Sequence, residues 1–225
     1  MNRKTALVTG ANAGMGRATA KALAQKGYHV IMACRNGQKG KAAMDEIAAE
    51  TGGSVSLLFC DLGDMESIRK ACAAFRDAHQ SLDVLINNAG IVPTERAETK
   101  HGLEMQFGVN HIGHFLLTKE LLPVITQTPD SRIVVVSSLG YRFGNIDFQD
   151  IPMKKKYSTM AAYSRSKLCN VLFTKELARR LEGTATTVNC LHPGFVRTTL
   201  GMTGDKMTFG RKLNIWFMGW RAPCC

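Results

Sequence analysis

Six short runs of apolar and β-branched residues recur along the chain, each separated from the next by a helical pattern. TALVT (5–9) leads into GRATAKALAQKG, HVIMAC (29–34) into GQKGKAAMDEIAAE, and VSLLFCD (55–61) into MESIRKACAAFRDA. VLINNA (84–89) precedes a long segment around LEMQFGVNHIGHFLLTKELL, RIVVVSS (132–138) precedes AAYSRSKLCNVLFTKELARRL, and TVNCLHPG (187–194) comes last. Strands that are apolar almost throughout, without strict alternation, are those covered on both faces, so the pattern predicts a parallel sheet wound with helices. Right-handed crossovers leave few topologies, and a doubly wound α/β sheet is the expected one.

Ligands of such sheets lie outside the carboxyl ends of the strands, and the polar motifs of this chain fall there. Gly10, Gly14 and Gly16 follow the first strand and open a helix. That is the context a dinucleotide turn needs: a tight bend, close backbone approach to a pyrophosphate, and a helix N-terminus facing negative charge. The second strand ends in Ala33-Cys34-Arg35-Asn36, where a carboxylate would hold a ribose 2′-hydroxyl. With no acid there, Arg35, helped by Arg17, could neutralise a 2′-phosphate, which favours NADP(H) over NAD(H); the alternative for Arg35 is a solvated strand-end charge. Asp61 could accept from an adenine amino group or cap its own turn. Asn87, Asn88, Ala89 and Gly90 form either a close-approach turn over the cofactor or a simple asparagine turn. Ser137 and Ser138 end the fifth strand, Pro193 and Gly194 follow the sixth.

Tyr163 and Lys167 stand four residues apart in YSRSK, one above the other on a helix. Bringing a phenol that titrates near pH ~10 into use as a neutral-pH base needs roughly 4 kcal/mol of differential stabilisation. A desolvated cation beside it could supply that, so Lys167 is expected to lower the pKa of Tyr163. The other tyrosines, Tyr28, Tyr141 and Tyr157, are followed at that spacing by Met32, Asn145 and Ala161. His111 and His114 (HIGH) invite a metal reading, but without a third ligand they read as packing histidines, and no metal is expected.

Composition narrows the remaining classes. The 225 residues support one sizeable core, with no linker, repeat or low-complexity tract dividing them. Lys and Arg outnumber Asp and Glu 29 to 18, a net charge of +11. The charges are scattered and the single run, Lys154 to Lys156, lacks interleaved aromatics, so a basic surface that draws in a phosphate-bearing cofactor is preferred to a nucleic-acid module. No run approaches the ~18 apolar residues of a spanning helix. No secretory signal is apparent. The seven cysteines, Cys34, Cys60, Cys72, Cys169, Cys190, Cys224 and Cys225, show no zinc spacing and read as reduced core thiols of a cytoplasmic protein.

In order, TGANAGMG, NNAG, the VSS of the fifth strand, YSRSK and HPG resemble the short-chain dehydrogenase/reductase family, over residue 4 to about residue 200. ACRN, GVNHIGHFLLT and YSRSKLCNVLFTKELARRL resemble its retinol dehydrogenase branch. The resemblance implies a Rossmann-like sheet of strand order 3-2-1-4-5-6, a single NADP-binding catalytic domain over residues 1–200, and an apolar tail or partial substrate lid over 201–225. The family's final strand is expected to be missing. It also implies that Tyr163 is the general acid/base on the substrate oxygen and that Lys167 lowers its pKa and binds the nicotinamide ribose. Ser138 would hydrogen-bond the same oxygen, with Ser137 the fallback, and Asn110 would hold a water of the proton relay. The implied cofactor contacts are Gly10, Asn12, Gly14, Met15, Gly16, Arg35, Asn36, Asp61, Leu62, Asn88, Ala89, Gly90, Tyr163, Lys167, Pro193, Gly194 and Thr198.

The segment from Leu139 to Met160 would wall the substrate pocket. Its Tyr141, Phe143, Ile146, Phe148 and Ile151 suit a small lipophilic alcohol or carbonyl substrate, or else form a loop packed on the core. The tail carries Ile215, Trp216, Phe217, Met218 and Trp220, too apolar to be left in water, and could dock as a lid, join a partner subunit or touch a membrane surface with Arg211 and Lys212. By resemblance a homodimer or homotetramer is expected. The expected function is an NADP-dependent oxidoreductase interconverting a lipophilic alcohol and its aldehyde or ketone. The alternative is a cofactor-binding protein of this kind, or a truncated product, with little or no catalysis.

Overall fold

The computed structural model describes residues 3–194. Thr198, Cys224, Cys225 and the expectations for the 201–225 tail lie outside the described residues. The strands are β1 (Thr5–Thr9), β2 (His29–Cys34), β3 (Ser54–Phe59), β4 (Val84–Asn87), β5 (Arg132–Val136) and β6 (Thr187–Leu191). Between them run α1 (Gly14–Gln25), α2 (Gly37–Thr51), α3 (Met65–Ala78), α4 (Met105–Phe107), α5 (Gly113–Gln127) and α6 (Thr159–Arg180). All strand pairs are parallel, in the order β3-β2-β1-β4-β5-β6. The order reverses between β1 and β4, and a crevice opens where their crossovers depart to opposite sides.

The apolar runs divide between two cores according to the two-residue period of a strand. Leu7, Ile31, Leu85 and Ile133 face Ile68, Phe75, Leu117, Leu121 and Leu177 from α3, α5 and α6. Val8, Val30 and Met32 face Ala20, Ala24, Ala43 and Ile47 from α1 and α2. Central β1 is buried throughout, as a doubly covered strand should be. β3 and β6 are not, and Phe59 and Leu191 stand exposed, so the even apolar content of those runs overstates their cover among the described residues.

The local signals are conventional. Asn36 caps α2 by accepting the Lys39 N–H at 2.9 Å, Gly52 ends it with φ +63, and Asp64 caps α3. The long segment expected to form one helix does not. After α4 the chain makes a π-helical turn, Gly108–Ile112, before α5. Close packing explains the interruption: a Cβ on Gly108 would run into Thr99 Cγ2, and one on Gly113 into the Leu62 carbonyl. The extra residue of such a turn redirects one side chain, here Asn110, which is fully buried.

Candidate active site

A cleft of about 650 Å³ lies at the carboxyl ends of the strands. Every expected cofactor contact among the described residues lines it, from Gly10 to Gly194, together with Ser138. Asn110 sits behind the wall and does not line it.

The glycine turn is built for close approach. Gly10 and Gly14 have φ of +65 and +52, which favour glycine. A Cβ on Gly16 would strike the Gly10 carbonyl and come within 2.6 Å of Asn88 Nδ2. The turn is braced from β4: the N–H groups of Asn88 and Ala89 both donate to Thr9 Oγ at 2.9 Å, and Asn88 Nδ2 donates to the Thr9 carbonyl at 2.8 Å. Ala13 gives α1 no side-chain cap, so its first N–H groups are left to an anion.

At the far end Arg35 lines the cleft with Lys39, one helical turn beyond the Asn36 cap, and Asp61 is the one carboxylate among the described lining residues. Arg17 does not share this task. Its guanidinium faces α2 and pairs with Glu46 at 2.6 Å and Glu50 at 3.5 Å, which corrects the expectation for it. Lys39 is the residue that sequence reasoning passed over; its position three residues past a cap was the available signal. Asp61 caps its own turn, Oδ1 accepting the Gly63 N–H at 2.9 Å, and it also lines the cleft.

Ser138, Tyr163 and Lys167 meet at the other end. Ser138 hydrogen-bonds the Tyr163 phenol. Ser137 turns inward and donates to the Lys167 carbonyl at 2.9 Å, so the two serines are told apart by geometry. The phenol differs from expectation. Burial pushes its pKa up, the hydrogen bond from Ser138 opposes this, and Lys167 makes no contribution. Lys167 Nζ lies 5.7 Å from the ring centroid and donates instead to the Val136 carbonyl at 3.0 Å. Burial brings the ammonium itself down to about 8.

The Asn110 side chain braces the wall of the cleft. Oδ1 accepts the Ile91 N–H at 2.8 Å, while Nδ2 donates to the Ile91 carbonyl at 3.1 Å and to Ser166 Oγ at 3.2 Å. Both ends of the amide are engaged in tying the loop after β4 to α6.

A family model described as short chain dehydrogenase matches residues 4–208. The chain belongs to the short-chain dehydrogenase family. It is 48% identical over 212 residues to retinol dehydrogenase 14 of Mus musculus, covering 89% of this chain and 64% of that protein. It is 49% identical over 200 residues to retinol dehydrogenase 13 of Homo sapiens, covering 88% and 60%. The chain thus spans about three fifths of the length of these curated relatives. Among solved structures, an uncharacterised protein from Mycobacterium paratuberculosis is similar with a TM-score of 0.77 and 41% identity, covering 98% of this chain and 78% of that one. A metagenomic short-chain oxidoreductase in complex with NADP has a TM-score of 0.70 at 28% identity, covering 85% and 82%.

Two features of this short-chain dehydrogenase were not legible beforehand. Glu104 caps α4 by accepting the N–H groups of Gln106 and Phe107, and pairs with Arg165 at 3.3 Å, both side chains being buried. Arg165 also donates to the Ile151 carbonyl and lies 4.9 Å over the Phe107 ring, which fastens the 144–158 loop to α6. Of the expected pocket-wall residues, Tyr141, Phe143, Ile146, Phe148 and Ile151, none lines the cleft, and Phe143 and Phe148 are 85% and 83% exposed. Among the described residues no helix is long and apolar enough to cross a membrane.

Proposed function

We propose that the protein is an NADP-dependent oxidoreductase interconverting a lipophilic alcohol and its aldehyde or ketone. The observation that carries this reading is one cleft holding Ser138, Tyr163 and Lys167 at one end and Arg35 with Lys39 at the other, joined by a glycine turn too tight for any Cβ at Gly16. The fit supports a dinucleotide: an uncapped helix N-terminus for the pyrophosphate, Asp61 toward the adenosine, and two cations, Arg35 and Lys39, for a 2′-phosphate. Lys167, Asn88 to Gly90, Pro193 and Gly194 would line the nicotinamide end. Bound there, the nicotinamide supplies or accepts the hydride.

The chain's own groups handle the proton. Tyr163, a phenol protonated at neutral pH, gives its proton to a carbonyl oxygen as negative charge develops there. The Ser138 hydroxyl donates a second hydrogen bond to the same oxygen. Brought down to about 8 by burial, the Lys167 ammonium is a stronger acid than the phenol and can return a proton to it. Asn110 holds Ile91 against α6 through its side chain and would also hold a water of the proton relay. The retinol dehydrogenases of similar sequence support a lipophilic substrate. We expect a homodimer or homotetramer in the cytoplasm.

Fluorescence titration with NADPH and NADH, followed by NADPH oxidation assays with aliphatic and polyene aldehydes, tests the reading. Tight NADPH binding with turnover supports it. Binding without turnover of any aldehyde or ketone would favour the cofactor-binding alternative. In the active protein, Tyr163→Phe is expected to lower kcat at least ~10³-fold, with the NADPH Kd changed less than about threefold; retained turnover would remove Tyr163 from the mechanism.

A further inference from the structure

The two histidines of the HIGH segment have no part in the proton path above, yet both end on one backbone carbonyl. Thr9 Oγ already accepts the N–H groups of Asn88 and Ala89. A hydroxyl has two lone pairs and one proton, so toward a third partner Thr9 is the donor. His114 Nε2 stands 2.9 Å away, closer than the Ile86 carbonyl at 3.3 Å. Nε2 therefore accepts, and in a neutral ring the proton sits on Nδ1. Nδ1 in turn lies 3.1 Å from the Asn110 carbonyl, which can only accept. The ring is fully enclosed, and burial brings its pKa down to about 4, with the Lys167 charge acting in the same direction.

His111 reaches the same carbonyl through Asn170. Its Nδ1 is 3.1 Å from Asn170 Oδ1, an acceptor, so Nδ1 carries a proton here too. The Asn170 amide faces this way because its other end meets two carbonyls, which can only accept. Nδ2 then points at the Asn110 carbonyl at 3.1 Å and, more distantly, at the Val136 carbonyl at 3.4 Å. The Val136 carbonyl is the group that receives Lys167 Nζ.

We propose that His111 and His114, both neutral and protonated on Nδ1, are positioning residues: they hold the Asn110 carbonyl and the Asn170 amide in the arrangement that seats Lys167 on the Val136 carbonyl beside Tyr163. Their effect on turnover rests on the oxidoreductase reading; their tautomers do not. With Nε2 protonated, His114 would crowd a third donor onto Thr9 Oγ and turn a bare nitrogen toward a carbonyl. As an imidazolium it would place a second cation near Lys167.

Long-range proton–nitrogen correlation spectra of the uniformly nitrogen-15-labelled 225-residue protein at pH 7 test the tautomers without cofactor or substrate. Both rings are expected neutral with the proton on Nδ1; an Nε2–H ring or an imidazolium at either position overturns the proposal, whether or not the protein proves to be an oxidoreductase. That reading fails by itself if the wild type binds no NADPH or turns over no carbonyl. In the active protein, His114→Gln, which abandons the Nδ1 position, should lower kcat at least ~10-fold while the NADPH Kd moves less than about threefold. His114→Asn, whose amide nitrogen falls near the Nδ1 position, should recover most of that loss although it forgoes Thr9. Equal losses of kcat in both variants, in step with their melting temperatures, would mean a merely structural role and overturn the proposal.

Discussion

Tyr163 carries a phenol that is protonated at neutral pH in any case, and burial raises its pKa further, against the opposing effect of Ser138. This suits carbonyl reduction, in which the enzyme must begin as the acid. Its partner Lys167 is poised near pH 8 by burial. At the other end of the cleft the charges are exposed and act on the cofactor. Arg35→Ala is expected to weaken NADPH binding ~10- to 100-fold, the loss of a charge-assisted contact to a phosphate, and to leave NADH within about twofold. Lys39→Ala should shift the same ratio in the same direction. Arg17→Ala should alter neither Kd, because Arg17 is committed to Glu46 and Glu50. Paired titrations of each variant with both cofactors check all three.

Of the helical elements, the short α4 and the π-turn after it set the shape of the site. Glu104 holds them: its carboxylate accepts two backbone N–H groups of α4 and faces the Arg165 guanidinium, with both side chains out of water. Two charges in such a place owe their stability to each other. Glu104→Ala is therefore expected to cost about 3–5 kcal/mol, since it leaves a buried guanidinium unpaired. Replacing both partners with apolar residues, as in Glu104→Leu with Arg165→Met, should cost clearly less. Urea unfolding at matched m-values measures the difference; equal losses in the two variants would show that the pair is not coupled. Gly16 is as constrained on α1, and Gly16→Ala should lose ~1–3 kcal/mol from overpacking, along with NADPH binding, by the same unfolding assay and by titration.

Across the whole molecule, burial depresses the pKa values of His29, His79, His111 and His114 together. The unfolded chain takes up protons as pH falls through about 6.5, while native His114 refuses one until about 4. The histidine contribution to stability is therefore complete above about pH 6.5 and is lost progressively toward pH 4. For His114 alone the loss between pH 7 and pH 5 is ~2 kcal/mol. Urea unfolding at the two pH values checks this: the decrease should be smaller in His114→Asn than in the wild type. The buried thiols behave oppositely to reactive cysteines. Cys34 is pushed up to about 11 and Cys60 and Cys72 to about 12, so none offers a thiolate near neutrality in the folded state.

Strand positions, a doubly wound parallel sheet and the clustering of Gly10, Arg35, Asp61, Asn88, Ser138 and Tyr163 at one end of it were legible in the chain, whereas the order of the strands came only from the family resemblance. The legible features depend on local period, on glycine at turns and on the fixed hand of the crossovers, all of which neighbouring residues specify. The Tyr163–Lys167 pairing was legible for the same reason, as a one-turn spacing on α6. Its electrostatic outcome was not, since the rise in the Tyr163 pKa comes from burial and the Lys167 ammonium is drawn off by the Val136 carbonyl of another element. Arg17 and Lys39 exchanged expected roles because direction in space, set by the packing of α1 on α2, decides which cation reaches the cleft. The π-turn answers to Thr99 and Leu62 pressing on Gly108 and Gly113, and HIGH acquires its meaning from Thr9 and Asn170, each far away along the chain. Periodicity thus determined the scaffold and where its site lies, whereas proton affinities, charge pairings and hydrogen-bond tautomers were decided by tertiary contacts, because each is a through-space quantity with partners that no local pattern names.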